Sequence, residues 1–237
     1  MKHGKRYREL LKKLSKEEYS LEEAIKLVRE LSNAKFPESV DISLNLGIDP
    51  RKQDQVVRGT VVLPHGTGKT RKILVFTKGA KVDEAKEAGA DYVGLEDYAE
   101  KIQKEGWFDF DVALATPDAM SVVGKLGRIL GPRGLMPSAK SKTVTMDIKD
   151  AVQEIKKGRI VLKNDKGGNI HAVIGRVNFD EKALKENLIS LIAELLRIKP
   201  AGVKGQYVRS AYISPTMGPS LKLNTKELLE IARKEAF

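Results

Sequence analysis

The sequence predicts an α+β domain split between the two ends of the chain, with an α/β domain inserted into it. Three observations carry this reading. The outer stretches hold strands in which apolar and polar residues alternate. The middle holds short unbroken apolar runs separated by helical stretches, and neither terminal piece brings enough elements for a core of its own. Alternation marks a sheet with one buried face, whereas unbroken runs mark a parallel sheet covered on both faces. Pairing the two termini and inserting the middle at a loop satisfies all three, and such insertions are well tolerated.

Each element follows in order. Leu21, Ala24, Ile25, Val28 and Leu31 recur at helical spacing, and Ser20 with Glu23 forms a capping box at the start. Val40, Ile42, Leu44, Leu46 and Ile48 alternate with polar residues as a half-buried strand. The chain turns at 49–52 and continues as a second strand over 56–63. Pro64-His65-Gly66-Thr67-Gly68 marks a domain boundary. The apolar runs at 73–76, 92–95 and 112–115 then alternate with helices over 82–88 and 97–104. A further helix over 118–129 leads into a glycine-rich stretch, and one over 148–157 stops at Gly158. Strands return at 159–162 and 170–177. A long helix carries Leu184, Leu188, Leu191, Ile192 and Leu195 on one face, a strand covers 207–213, and a last helix starts at Thr225. The expected domains are 1–67 with 158–237, and an insert of 68–157.

Forty-three Lys and Arg against 32 Asp and Glu give a net charge of +11. That excess implies a polyanionic partner, because neutralising phosphates releases counterions. Residues 69–157 hold 16 basic and 14 acidic side chains and the remainder 27 and 18, so the split domain is the better polyanion site. Part of its excess lies in a basic stretch ending at Lys16. The absence of cysteine excludes disulfides, thiolate catalysis and Cys-based zinc sites, and suits a cytoplasmic protein. No apolar run is long enough for a membrane span, and no signal-peptide core follows the opening Lys-rich residues.

Motifs that would make an enzyme are broken. Gly66-Thr67-Gly68-Lys69-Thr70 ends like a phosphate-binding loop, but the glycine required five residues before Gly68 is Leu63. The first strand of the insert leads into Thr77-Lys78-Gly79-Ala80-Lys81, which lacks the further glycines of a dinucleotide fingerprint. His171 has no partner pattern for a catalytic triad. No catalytic residue, cofactor or metal is expected. Two glycine-rich segments are more informative. The stretch 124–137 packs glycines, prolines, Lys125, Arg128 and Arg133 into one loop able to approach phosphate. Thr216-Met217-Gly218-Pro219 follows a strand as a shaped turn.

The run Gly127-Arg128-Ile129-Leu130-Gly131-Pro132-Arg133-Gly134-Leu135-Met136-Pro137 resembles the signature of the L-one family of large-subunit ribosomal proteins, in its bacterial form. Thr216-Met217-Gly218-Pro219 resembles that family's RNA-binding turn. The resemblance covers essentially the whole chain, including the opening Lys-rich helix, the Phe36 region and the C-terminal strand. It implies an antiparallel-sheet RNA-binding domain built from both termini, plus an inserted Rossmann-like parallel-sheet domain. It also implies binding to the rRNA of the mobile stalk beside the tRNA exit site, assistance in releasing deacylated exit-site tRNA, and repression of its own operon through its mRNA. The carrier would sit on the large subunit in the cytoplasm, be a monomer when free, and touch no membrane. Carried over by motif, the RNA face holds Lys35, Phe36, Glu38 and Ser39. It continues with Asp165, Lys166, Gly167 and Gly168, then His171 and Ser210, and ends at Thr216, Met217, Gly218 and Pro219. Lys125, Arg128 and Arg133 would supply a secondary RNA contact. Lys35 and Lys166 suit phosphate, Ser39, Ser210 and Thr216 suit 2′-hydroxyls, and Phe36 and Met217 suit ribose or bases.

Three classes of function therefore stand side by side. A ribosomal RNA-binding protein accounts for charge, cysteine absence, loops and motifs together. A nucleotide-dependent enzyme on the insert accounts only for fold texture, and an unspecific RNA chaperone only for charge.

Overall fold

The computed structural model describes residues 4–79 and 81–236. The chain falls into two compact units: a discontinuous one that runs to Gly68 and resumes at Ile160, and a continuous one, Lys69–Arg159. Each is described by itself.

The discontinuous unit opens with α1 (Lys5–Lys12), α2 (Leu21–Leu31), β1 (Ser39–Leu46) and β2 (Arg58–Val62). The basic arm read from the residues is thus helical over α1, as the resemblance implies, with Leu10 buried; its first three residues lie outside the described chain. Ser20 caps α2 by accepting the Glu23 N–H, and the five periodic apolar residues of α2 are all buried. β2 is shorter than the expected 56–63, since Val56 is exposed outside the ladder.

The inserted unit holds β3 (Ile73–Phe76), α3 (Lys81–Glu87), β4 (Tyr92–Gly94), α4 (Glu96–Glu105) and β5 (Val112–Ala115). It continues through α5 (Met120–Val123) and α6 (Gly127–Leu130) to α7 (Ile148–Lys157). The strands form a parallel sheet in the order β4-β3-β5. All four residues of β3 are buried: Leu74 and Phe76 join a cluster with Leu126 and Leu130, whereas Ile73 and Val75 join one with Val152 and Ile155. The unbroken run therefore reports two covered faces. The single helix expected over 118–129 is instead broken into α5 and α6, flanked and separated by 3-10 turns at Pro117–Ala119 and Gly124–Leu126. Glycines at 124 and 127 lower the helical preference within that run by about 1 kcal/mol each.

The chain then returns to the first unit as β6 (Arg159–Lys163), β7 (Asn169–Arg176), α8 (Glu181–Arg197), β8 (Val208–Pro215), β9 (Leu221–Leu223) and α9 (Thr225–Ala236). β9 is the strand that the residues did not announce, because three residues are too few to show a period. The main sheet is antiparallel, in the order β7-β1-β8-β9, and β2 pairs with β6 as a separate ribbon. One face of the main sheet packs Val40, Ile42, Leu44 and Leu46 into a core shared with Ile25 and Val28 of α2 and Leu188 and Ile192 of α8. At the connection out of this unit, the fully buried Asn187 of α8 accepts the His65 N–H and donates to the carbonyls of Gly66 and Ile174. A buried amide with every group used fixes the departing chain to the sheet.

Candidate nucleic-acid interface

Burial alternates strictly along β1, so Ser39, Asp41, Ser43 and Asn45 line the face opposite the core. The register sets Ser43 between His171 of β7 and Tyr212 of β8, and Asn45 between Asn169 and Ser210. The Ser43 hydroxyl lies 3.0 Å from His171 Nδ1, and Asn45 donates to the Asn169 carboxamide at 2.7 Å. The result is a polar, hydrogen-bonded and solvent-facing sheet surface, with Tyr212, 37% exposed, as its large apolar contact. Among the sequence-predicted residues, Ser39, His171 and Ser210 belong to this face.

The remaining predicted residues of the split unit gather at the two ends of β1. At its N-terminal end, Glu38 is only 1% exposed, and its carboxylate accepts the N–H groups of Ala34 at 3.0 Å and Met217 at 2.8 Å. Burial pushes this carboxyl up, but the Met217 and Ala34 amides, the Ser32 hydroxyl and the Arg6 charge outweigh it and hold it below the ordinary glutamate value. Arg6 of α1 also donates to the Met217 carbonyl at 3.1 Å. Thr216 stitches the same two segments: its hydroxyl accepts the Ser39 N–H at 3.0 Å, and its own N–H donates to the Ser39 carbonyl. The Glu38 carboxylate therefore faces inward, correcting the expectation that it offers a surface contact. Its two oxygens clasp the Phe36 loop to the 216–219 turn and leave Phe36 at 50% and Met217 at 48% exposure, with Lys35 also exposed. Gly218 is required for an internal reason: a Cβ there would lie 2.6 Å from Cγ of Pro215. Pro219 is buried beside it.

At the C-terminal end of β1, Asp165 shapes the hairpin between β6 and β7. Its carboxylate accepts the N–H groups of Gly167 and Asn169 at 2.8 and 2.7 Å and the Asn169 side-chain amide at 3.1 Å. The Asn169 bonds, with that of Gly167 and the nearby His171, hold its carboxyl below the ordinary aspartate value. Gly168 turns the chain at φ +77°, and its carbonyl accepts the Leu46 N–H. Lys166 is left exposed at the tip. Six residue steps from Ser39 to Asn45 span about 20 Å, so two clusters far apart in sequence become the ends of one stripe.

Lys125, Arg128 and Arg133 lie in the inserted unit, all exposed, and the Arg133 guanidinium sits 3.7 Å above the Phe108 ring. Sequence reasoning missed Ser43, Asn45, Asn169 and Tyr212 on the sheet face. The signal for the first two was present, since they alternate with Ile42 and Leu44. The described residues contain no cluster able to hold a metal ion and no helix long and apolar enough to cross a membrane.

The sequence pattern of the Ribosomal protein L1p/L10e family matches residues 28–219, which takes in the Phe36 loop, the hairpin and the turn. The chain belongs to that family. It is 53% identical over 230 residues, 97% of this chain and 99% of its counterpart, to the "Large ribosomal subunit protein uL1" of Thermosipho africanus (strain TCF52B). Family membership makes this a ribosomal protein of the L1 type and not an enzyme. Gly66 and Gly68, in the broken phosphate-binding loop, adopt positive φ in the connection held by Asn187.

Proposed function

We propose that this protein sits on the large ribosomal subunit in the cytoplasm and binds the rRNA of the mobile stalk through the polar stripe of its split unit. From there it assists release of deacylated tRNA from the exit site, and it represses its own operon by binding a stalk-like site on the mRNA. Glu38 acts as a positioning residue, and contact falls to Lys35, Phe36, Ser39, Lys166, His171, Ser210, Thr216 and Met217. Asp165, Gly167, Gly168, Gly218 and Pro219 shape the backbone that carries them. The observation that carries this reading is the Glu38 clasp, which fixes two exposed apolar side chains, Phe36 and Met217, beside Ser39, Thr216 and the exposed Lys35. Structured RNA is read through shape, backbone and 2′-hydroxyls, and such a rigid mixed edge suits it.

Titration of the protein against stalk rRNA and a scrambled RNA at two salt concentrations tests this. A preference for the stalk RNA of about 10³ or more is expected. Equal affinity for both RNAs would instead favour an unspecific chaperone. Faster tRNA release on ribosomes reconstituted with the protein, and lower output from a reporter carrying the operon leader, check the two further activities.

A further inference from the structure

Beside the Asp165 hairpin lies a cleft of about 680 Å³ that runs on from the end of the stripe at Asp165 and Lys166. One wall is the 50–56 loop, which brings Pro50, Arg51 and the exposed Val56; the other is the end of β6 with Lys163 and the hairpin turn with Lys166. The floor is built. Asn164, 8% exposed, accepts the Val57 N–H through its side chain at 2.9 Å and donates to the Asp165 carbonyl at 2.9 Å, and its own N–H donates to the Val57 carbonyl. The walls are thus held in register before any ligand arrives. The 50–56 loop is pinned in turn, since Gln55 accepts the Asp49 N–H and Asp49 accepts that of Arg51.

The charge in this cleft is unspent. Arg51, Lys163 and Lys166 carry no ion pair among the described residues, and all three are exposed. The lining acid, Asp165, is committed to the amides of its own hairpin. We propose that the cleft is a second RNA groove, which takes the sugar-phosphate backbone of nucleotides flanking those on the stripe and lengthens the footprint beyond Lys166. The inference rests on the RNA reading above. Continuity favours RNA as the occupant, because Asp165 and Lys166 belong to both surfaces, and unpaired cations over a shallow aliphatic wall fit phosphate and ribose.

The test uses the full chain with Arg51→Ala and Lys163→Ala combined, and Lys182→Ala with Lys226→Ala as an equal-charge control at exposed positions elsewhere in the unit. Two stalk rRNA fragments are titrated, one long and one trimmed to the nucleotides protected by the stripe. On the long fragment the groove variant should bind on the order of tenfold more weakly at low salt. Its slope of log K against log salt should fall by about two, one per lost phosphate contact. On the trimmed fragment it should match the parent, and hydroxyl-radical protection of the flanking nucleotides should vanish. An unchanged slope on the long fragment, or an equal loss in the control pair, overturns the groove while leaving the stripe intact. A parent protein that binds neither fragment overturns the RNA reading and the groove together.

Discussion

The two units solve opposite packing problems with the same kinds of residue. In the inserted unit, β3 is buried on both sides, with Leu74 and Phe76 facing one helical layer and Ile73 and Val75 the other. The central strand there has no side chain left to meet a ligand. In the split unit, β1 buries Ile42 and Leu44 but turns Ser43 and Asn45 to solvent, with His171, Ser210 and Tyr212 alongside. An antiparallel sheet with helices on one side leaves its other side open. The carboxylates differ too. Asp109 and Glu100 of the insert are held below their ordinary values by exposed ion pairs with Lys72 and Lys104. Glu38 is held there by backbone amides inside a buried clasp. Recognition needs a surface that is both free and rigid, and among the described residues the hydrogen-bonded β1 face of the split unit is of that kind.

The largest expected effect comes from separating the units. Residues 1–67 joined to 158–237 by a short linker should fold and keep stalk-RNA affinity within about tenfold of the whole protein. Residues 69–157 alone should bind at least ~1,000-fold more weakly, the usual gap between specific and non-specific binding. Comparable affinity of the isolated insert would reverse the comparison.

Next comes Gly218→Val, whose side chain would meet the Pro215 ring at the 2.6 Å position of its Cβ. The turn must shift, and preference for stalk over scrambled RNA should fall on the order of 100-fold, with the salt slope nearly unchanged because no charge is lost. A full preference retained by this variant would show that the turn is only structural.

Glu38→Gln sharpens the contrast between the two kinds of carboxylate. It leaves one clasped amide facing an NH₂ group, which should cost about 1–3 kcal/mol of stability near neutral pH. Because the folded-state pKa of Glu38 lies below its unfolded value, its contribution is complete above the ordinary glutamate range and is lost as pH falls through the folded value. Melting curves of parent and variant should therefore converge in acid. Divergence that persists once the carboxyl is protonated in both the folded and unfolded chain would contradict the clasp. Asp109→Asn in the insert should leave the melting temperature within experimental scatter, since exposed pairs are screened.

Thr216→Val removes the acceptor for the Ser39 N–H, at about 1 kcal/mol, so RNA preference should drop several-fold without a change in salt slope. The smallest effect is Lys35→Ala, which should weaken binding to every RNA slightly and lower the slope by about one. Loss of sequence preference in that variant would move Lys35 from phosphate to base contact.

Period and punctuation in the sequence were enough to set most elements. The alternation over 40–48, the Ser20 capping box, the unbroken runs at 73–76 and 112–115, and the stop at Gly158 each express a local steric or solvation rule, legible without knowing neighbours. The helix over 118–129 misread because glycines inside an apolar period weaken it by amounts that the period does not record. The site was legible as motifs and not as geometry. That Glu38 points inward, that Arg6 reaches Met217, and that Thr216 ties down Ser39 are contacts between residues 177–211 positions apart. The tertiary fold alone decided that the Phe36 loop, the Asp165 hairpin and the 216–219 turn become ends of one stripe. Register between β1, β7 and β8 is fixed by burying the whole sheet face at once, and that condition belongs to no single segment of the chain.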